Sequence, residues 1–120
     1  MTDTVQQGGK VTLEIAQGAT FQFDFYFTDK DGAIVDLTGY TGRCQFRESI
    51  EAADVLYDST TSGDITITGA AGKVTLLIPV AVTTAWTWRS AVYDLELVAS
   101  DGKVTRLVKG RVKVDPEVTR

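Results

Sequence analysis

Enzymatic chemistry needs a proton carrier, a nucleophile, a metal cage or a phosphate cradle, and this 120-residue sequence is sparing with all four. Histidine is absent, which removes the commonest general base, the commonest transition-metal ligand and every histidine-based triad. There is no Gly-x-x-x-x-Gly-Lys-Ser/Thr loop, no Gly-x-Gly-x-x-Gly and no paired cysteine spacing. Nucleotide, dinucleotide and zinc sites therefore lack their marks, and no cofactor is expected. Carboxylate pairs remain, because two acids alone support glycoside hydrolysis. The candidates are Asp29 with Asp31, Asp54 with Asp58, and Asp94 with Glu96. The first pair falls in a tight turn and the last points out of a strand, so solvation is the preferred reading and the chain is expected not to be an enzyme. Asp29-Lys30-Asp31-Gly32 also opens like a calcium loop. The later ligands of such a loop, its bidentate glutamate included, have no counterpart, and the segment reads as a turn.

Two other groups suit recognition. Trp86 and Trp88 lie two residues apart, so on an extended backbone both indoles face the same way. Exposed, the pair would suit a protein partner or a sugar ring, which makes a host-surface glycan the alternative ligand; buried, it closes one end of a core. Burial of at least one indole is preferred, with Trp88 beside Arg89 the better candidate for exposure. The second group is Lys103, Arg106, Lys109, Arg111 and Lys113, which recur mostly at strand spacing and mark a solvated or partner-facing strand. A net charge of -4 opposes a nucleic-acid partner, since phosphate backbones are bound through clustered Lys and Arg. The candidate contact residues are thus Trp86, Trp88, Arg89, Lys103, Lys109, Arg111 and Lys113.

The elements that must position them are strands. Phe21 to Phe27 alternates strictly, with Phe21, Phe23, Phe25 and Phe27 on one face. Val11, Leu13 and Ile15 form an inward row before it. Asp29 to Gly32 is a turn leading into a short strand over Ala33 to Leu37. From Gly39 to Glu48, Tyr40, Gly42, Cys44 and Phe46 share one face and Thr41, Arg43, Gln45 and Arg47 the other. Val55 to Ser59, Ile65 to Thr68 and Lys73 to Pro79 read as further short strands, separated by turns over 61–64 and 69–72. Val80 to Trp86 is a bridging turn, too short and β-branched for more than one or two helical turns. The clearest element is the final hairpin, Ala91 to Ala99 and Lys103 to Val114 about the turn Ser100-Asp101-Gly102. About seven to eight short strands at this spacing predict an all-β fold, an immunoglobulin-like antiparallel β-sandwich, although the same pattern also fits a barrel.

A chain of this length fits one domain, expected over residues 10–120. Residues 1–9 are polar and end in Gly8-Gly9, which predicts a flexible N-terminal arm. They lack the apolar stretch of a signal peptide, and no apolar run approaches the roughly 20 residues of a membrane span. A product made in the cytoplasm, without a membrane partner, is therefore expected. The single cysteine, Cys44, excludes an internal disulfide framework and reads as a packed thiol.

A longer pattern runs through most of the chain: Phe21 to Phe27, Asp31-Gly32, Val35-Asp-Leu-Thr-Gly-Tyr40, Arg43-Cys-Gln-Phe-Arg47, Tyr93-Asp-Leu-Glu-Leu97, Gly102 to Leu107, and Gly110 to Val114 with the closing Pro116-Glu-Val-Thr-Arg120. It resembles the small β-sandwich structural proteins encoded among the tail and virion genes of tailed bacteriophages and prophages. Trp86-Thr-Trp88 departs from the short proline- or glycine-containing turn such proteins imply there. The resemblance rests on fold-bearing residues and implies a virion part without naming a site. It implies other phage structural proteins as partners, several copies in one particle or a homo-oligomer, and a location in the virion after assembly in the host cytoplasm.

Overall fold

The alternating apolar rows form two sheets that close on each other. The computed structural model describes residues 1–59 and 63–119. Its elements are β1 (Thr2–Val5), β2 (Gly9–Lys10), β3 (Leu13–Ala16), β4 (Phe21–Phe27), β5 (Thr41–Arg47), β6 (Tyr57–Asp58), β7 (Ile65–Thr68), β8 (Lys73–Ile78), the single helical turn α1 (Val80–Thr84), β9 (Ser90–Val98) and β10 (Val104–Asp115). The first sheet has the order β1-β4-β8-β7. The second runs β2-β10-β9-β5-β6, and β3 continues β2 along the same edge of β10. A sandwich, not a barrel, is the outcome.

Period-two alternation decides which side chains meet between the sheets. Phe21, Phe23 and Phe25 of β4 are buried with Val74, Leu76 and Ile78 of β8. Facing them are Leu13, Ile15, Cys44, Phe46, Ala91, Tyr93, Leu95 and Leu97 of the second sheet. Each Val, Leu, Ile or Phe among them contributes about 1.5–3 kcal/mol when fully removed from water. Phe27, expected in the same row as Phe21, is only half-buried, because β4 reaches the end of the sandwich there.

Several expectations are corrected. Residues 1–9 are not a flexible arm. Thr2–Val5 pairs in parallel with Asp24 to Phe27, and Val5 is 5% exposed. Gly8, at φ +79°, then turns the chain into the second sheet. Sequence alternation could not announce β1, because backbone hydrogen bonds to β4 hold it and only one side chain enters the core. The sheets are also not wholly antiparallel, since β1, β2 and β3 all pair in parallel. The strand expected over Ala33 to Leu37 reduces to one bridge, Thr28 with Ile34. Asp29 folds that segment into a turn instead, its Oδ1 accepting from the backbone N–H groups of Asp31 (2.9 Å) and Ala33 (3.0 Å). Val55 to Ser59 supplies only two strand residues. The turn expected over 61–64 lies partly outside the described residues, as does Arg120.

Candidate functional site

The outer face of the second sheet gathers most of the charged residues singled out in the sequence. Its geometry depends on a β-bulge in β10. The register against β9 shifts between Arg106 and Val108, so Leu107 and Val108 are both buried. The extra residue restores the phase, and Arg106, Lys109, Arg111 and Lys113 all face outward. Adjacent apolar residues at 107 and 108 inside an alternating run were the signal for it. Cross-strand registers then give three rows: Arg47–Val92–Arg111, Gln45–Asp94–Lys109 and Arg43–Glu96–Arg106. Lys10 of β2 pairs with Lys109 and extends the basic flank.

The acids of the central strand lie between cations. Arg43 Nε meets Glu96 Oε1 at 2.7 Å, and Arg106 Nε meets Asp94 Oδ2 at 3.6 Å. Partial burial pushes the Asp94 carboxyl above its usual range, helped by Glu96 and opposed by Arg106, Arg43 and Arg47. Asp94 and Glu96 thus sit on an open, arginine-matched sheet face.

The other flank escaped the sequence reading. Arg47 does not face solvent freely: its Nη1 donates to the carbonyls of Ala52 (2.8 Å) and Ala53 (3.0 Å), and its Nη2 to Gln45 Oε1 (2.9 Å). Gln45 in turn donates to Asp58 at 3.0 Å. This clamp fixes the 48–55 loop beside the sheet, with Ile50 83% exposed on it. Glu48, Glu51 and Asp54 are exposed on the same loop, around the Arg47 guanidinium that holds it. Between Ile50 and Arg47 on one side and Lys10 and Lys109 on the other lies an open groove of about 560 Å³, floored by Val92 and Gly110. The readable signal was a stretch without Lys or Arg from 48 to 59, with an isolated isoleucine among its acids.

The remaining candidates lie elsewhere. Trp86 is 6% exposed and Trp88 half-buried, their ring centroids 4.7 Å apart. Phe46 lies 6.1 Å from each, and Tyr57 5.9 Å from Trp86. They close the end of the core and do not offer two aligned exposed indoles. Arg89 folds back on its own loop, donating to the carbonyls of Thr87 (3.3 Å) and Trp88 (3.4 Å). Lys103 sits in the β9–β10 turn, its N–H held by Asp101 Oδ1 at 2.9 Å, and stays apart from the row of Lys109, Arg111 and Lys113.

Behind the face, the N-terminal segment is locked to β9. The carbonyl of Val11 accepts the Tyr93 hydroxyl at 2.7 Å, inside the fold. This contact needs Gly110, because a Cβ there would lie 2.0 Å from the Val11 oxygen.

Two facing sheets built about antiparallel cores, with edge strands added in parallel, define an immunoglobulin-like β-sandwich. No family model matches the chain, and no curated protein matches it in sequence. Solved structures resemble it in fold. The N-terminal domain of phage TP901-1 ORF48 aligns with a TM-score of 0.59 at 6% identity, over 96% of this chain and 99% of that one. A chicken TCR aligns at a TM-score of 0.52 and 13% identity, over 96% of this chain and 57% of that one. At these identities the likeness establishes the fold.

Proposed function

We propose that this chain is a structural component of a tailed-phage particle, part of the tail, baseplate, fibre attachment or head decoration, and that it works through protein contacts without catalysis. The observation that carries this reading is the fold likeness to the phage TP901-1 ORF48 domain, which spans nearly the whole of both chains. The sequence resemblance to small virion β-sandwich proteins points the same way. So does the outer sheet face, whose ordered charges and shallow groove suit another protein's surface better than an enclosed small molecule. Its partners are other phage structural proteins, met in the host cytoplasm during assembly and retained in the virion in several copies.

A glycan-binding role draws less support, because Trp86 is enclosed in the core cluster instead of lying open to a sugar ring. Quantitative mass spectrometry of purified particles from the source phage or induced prophage tests the proposal. Recovery at a fixed ratio to known virion proteins supports it. Absence from particles, with the chain left in the soluble lysate, overturns it.

A further inference from the structure

Between Val5 and Gly9 the chain changes sheets. Up to Val5 it runs beside β4 in the first sheet, and from Gly9 it runs beside β10 in the second. The Gly9 N–H closes the turn on the Gln6 carbonyl at 2.9 Å. Gly8 lies over the β10 bulge, its N–H shared between the carbonyls of Arg106 (3.3 Å) and Leu107 (3.0 Å). Its φ of +79° sets the reversal, and an added Cβ would meet nothing within 4 Å. The joint therefore rests on a glycine conformation, and two adjacent glycines reach an extended link as readily as a turn.

What β1 brings to the first sheet is transferable. Residues 1–4 are exposed, and the Asp3 carboxylate turns back to the Thr4 N–H at 2.9 Å. The ladder to β4 is main chain, bounded by the Met1 carbonyl on the Asp24 N–H and the Val5 carbonyl on the Thr28 N–H, both at 2.9 Å. Of residues 1–5, Val5 alone is buried. Every copy of the chain has the same β4 edge and the same seat for Val5. The complementarity that a second copy needs is thus the contact this fold already displays.

We propose that two copies of this chain exchange β1, each laying Thr2–Val5 along the β4 edge of the other while the turn at Gly8 opens into an extended link. The four residue steps from Val5 to Gly9, at about 3.3 Å each, reach about 13 Å, more than the roughly 10 Å between packed sheets, so the strand clears its own sandwich. Reciprocal exchange fills both vacated edges, and the contact closes at two copies. The single closed chain wins in dilute solution, because its own strand stands at an effective concentration on the order of mM. Copies held side by side exceed that value, and there the exchanged pair wins. The inference deepens the virion reading by giving its several copies a contact, and rests on that reading for the setting alone.

Two single-cysteine variants test the exchange, Thr4→Cys and Tyr26→Cys, each combined with Cys44→Ala. The two positions are register partners in β1 and β4. Neighbouring strands lie about 4.8 Å apart, within the roughly 4.4–6.8 Å that a disulfide spans. Mixed at about 1 mM and oxidised, the variants should give a covalent pair of twice 13.0 kDa, and at about 0.01 mM at least about tenfold less. Each variant oxidised alone should stay single. Gly8→Val penalises the closed turn, because a β-branched residue resists positive φ, and leaves the extended link unstrained. In sedimentation velocity it should tighten pairing at least about tenfold. Four residues of glycine and serine inserted after Gln7 relax the closed turn and should weaken pairing at least about tenfold. Thermal melting reports the folding of each variant. A mixture that yields no more covalent pair than the separate variants, or pairing indifferent to both hinge changes, overturns the proposal. The virion reading fails separately: exchange in a chain absent from particles refutes that role and leaves the pairing, whereas a chain recovered from particles that never cross-links does the opposite.

Discussion

Replacing Gly110 with alanine should be among the most damaging small substitutions in this molecule. Gly110 does not have a positive φ, so the demand is for space and not for backbone freedom. An added Cβ would lie 2.0 Å from the oxygen and 2.9 Å from the carbon of the Val11 carbonyl, where about 3.3 Å is the comfortable approach of carbon to oxygen. The N-terminal segment must therefore retreat by more than about 1 Å. That retreat strains the Val11 N–H bond to the Lys109 carbonyl, now 3.0 Å, and the Tyr93 hydroxyl bond, now 2.7 Å. Overpacking costs about 1–3 kcal/mol, and a buried hydroxyl left without its acceptor about 1–3 kcal/mol more. The sum, about 2–6 kcal/mol, is a large share of the 5–15 kcal/mol typical of a whole domain. For a chain of this length it corresponds to a melting temperature lower by roughly 8–24 °C. Calorimetry, with urea titration to check that the slope is unchanged, reads the effect. Tyr93→Phe removes the same hydrogen bond from its other end, so the double variant should lose less than the sum of the single losses. A Gly110→Ala protein melting within about 2 °C of the parent, or full additivity with Tyr93→Phe, would refute the reasoning.

Three further outcomes are expected. Burial, with lesser contributions from Asp94 and Asp58, pushes the Cys44 thiol far above its ordinary range, so a thiol reagent at about pH 8 should label the native protein only through unfolding and label it rapidly in denaturant. The Tyr93 hydroxyl is likewise pushed up by burial, then by Cys44 and Asp3; both groups ionise first in the unfolded chain, so stability should fall as pH rises past about 8.5 and again past about 10 in urea titrations, with Cys44→Ala flattening the first step. Deleting residues 1–5 should free the β4 edge and cost about 1–3 kcal/mol by removing the parallel ladder and the buried Val5; faster hydrogen exchange confined to Asp24 to Thr28 would mark the loss, and unchanged exchange there would contradict it.

What the sequence disclosed and what it withheld divide along one physical line. The faces of β4, β5 and β9 were legible because each strand has one buried side, and alternation records burial directly. The outward set Arg43, Gln45 and Arg47 was read correctly for the same reason. The parallel strand β1 was not, since Thr2, Asp3 and Thr4 are held by main-chain bonds that leave no trace in side-chain pattern. The basic row could be located from spacing. Its alignment required the bulge at Leu107, which turns an irregular sequence interval into a regular surface. Arg47 looked like another outward cation, and only folding shows its guanidinium spent on the Ala52 and Ala53 carbonyls.

The pairing of Leu13 with Val112 joins the two ends of the sequence side by side on β10. Such remote closure is slow compared with local pairing, because a long loop must be ordered before the contact rewards it. On the ribosome, β2 and β3 emerge early and must wait for nearly the whole chain before their neighbour exists. Until β10 is released, β9 also shows an open edge, and the growing chain presents two adhesive strands to every other nascent copy nearby. Closure of this sandwich therefore has to follow synthesis of β10, and chains interrupted before β10 are the ones most exposed to aggregation and to quality control.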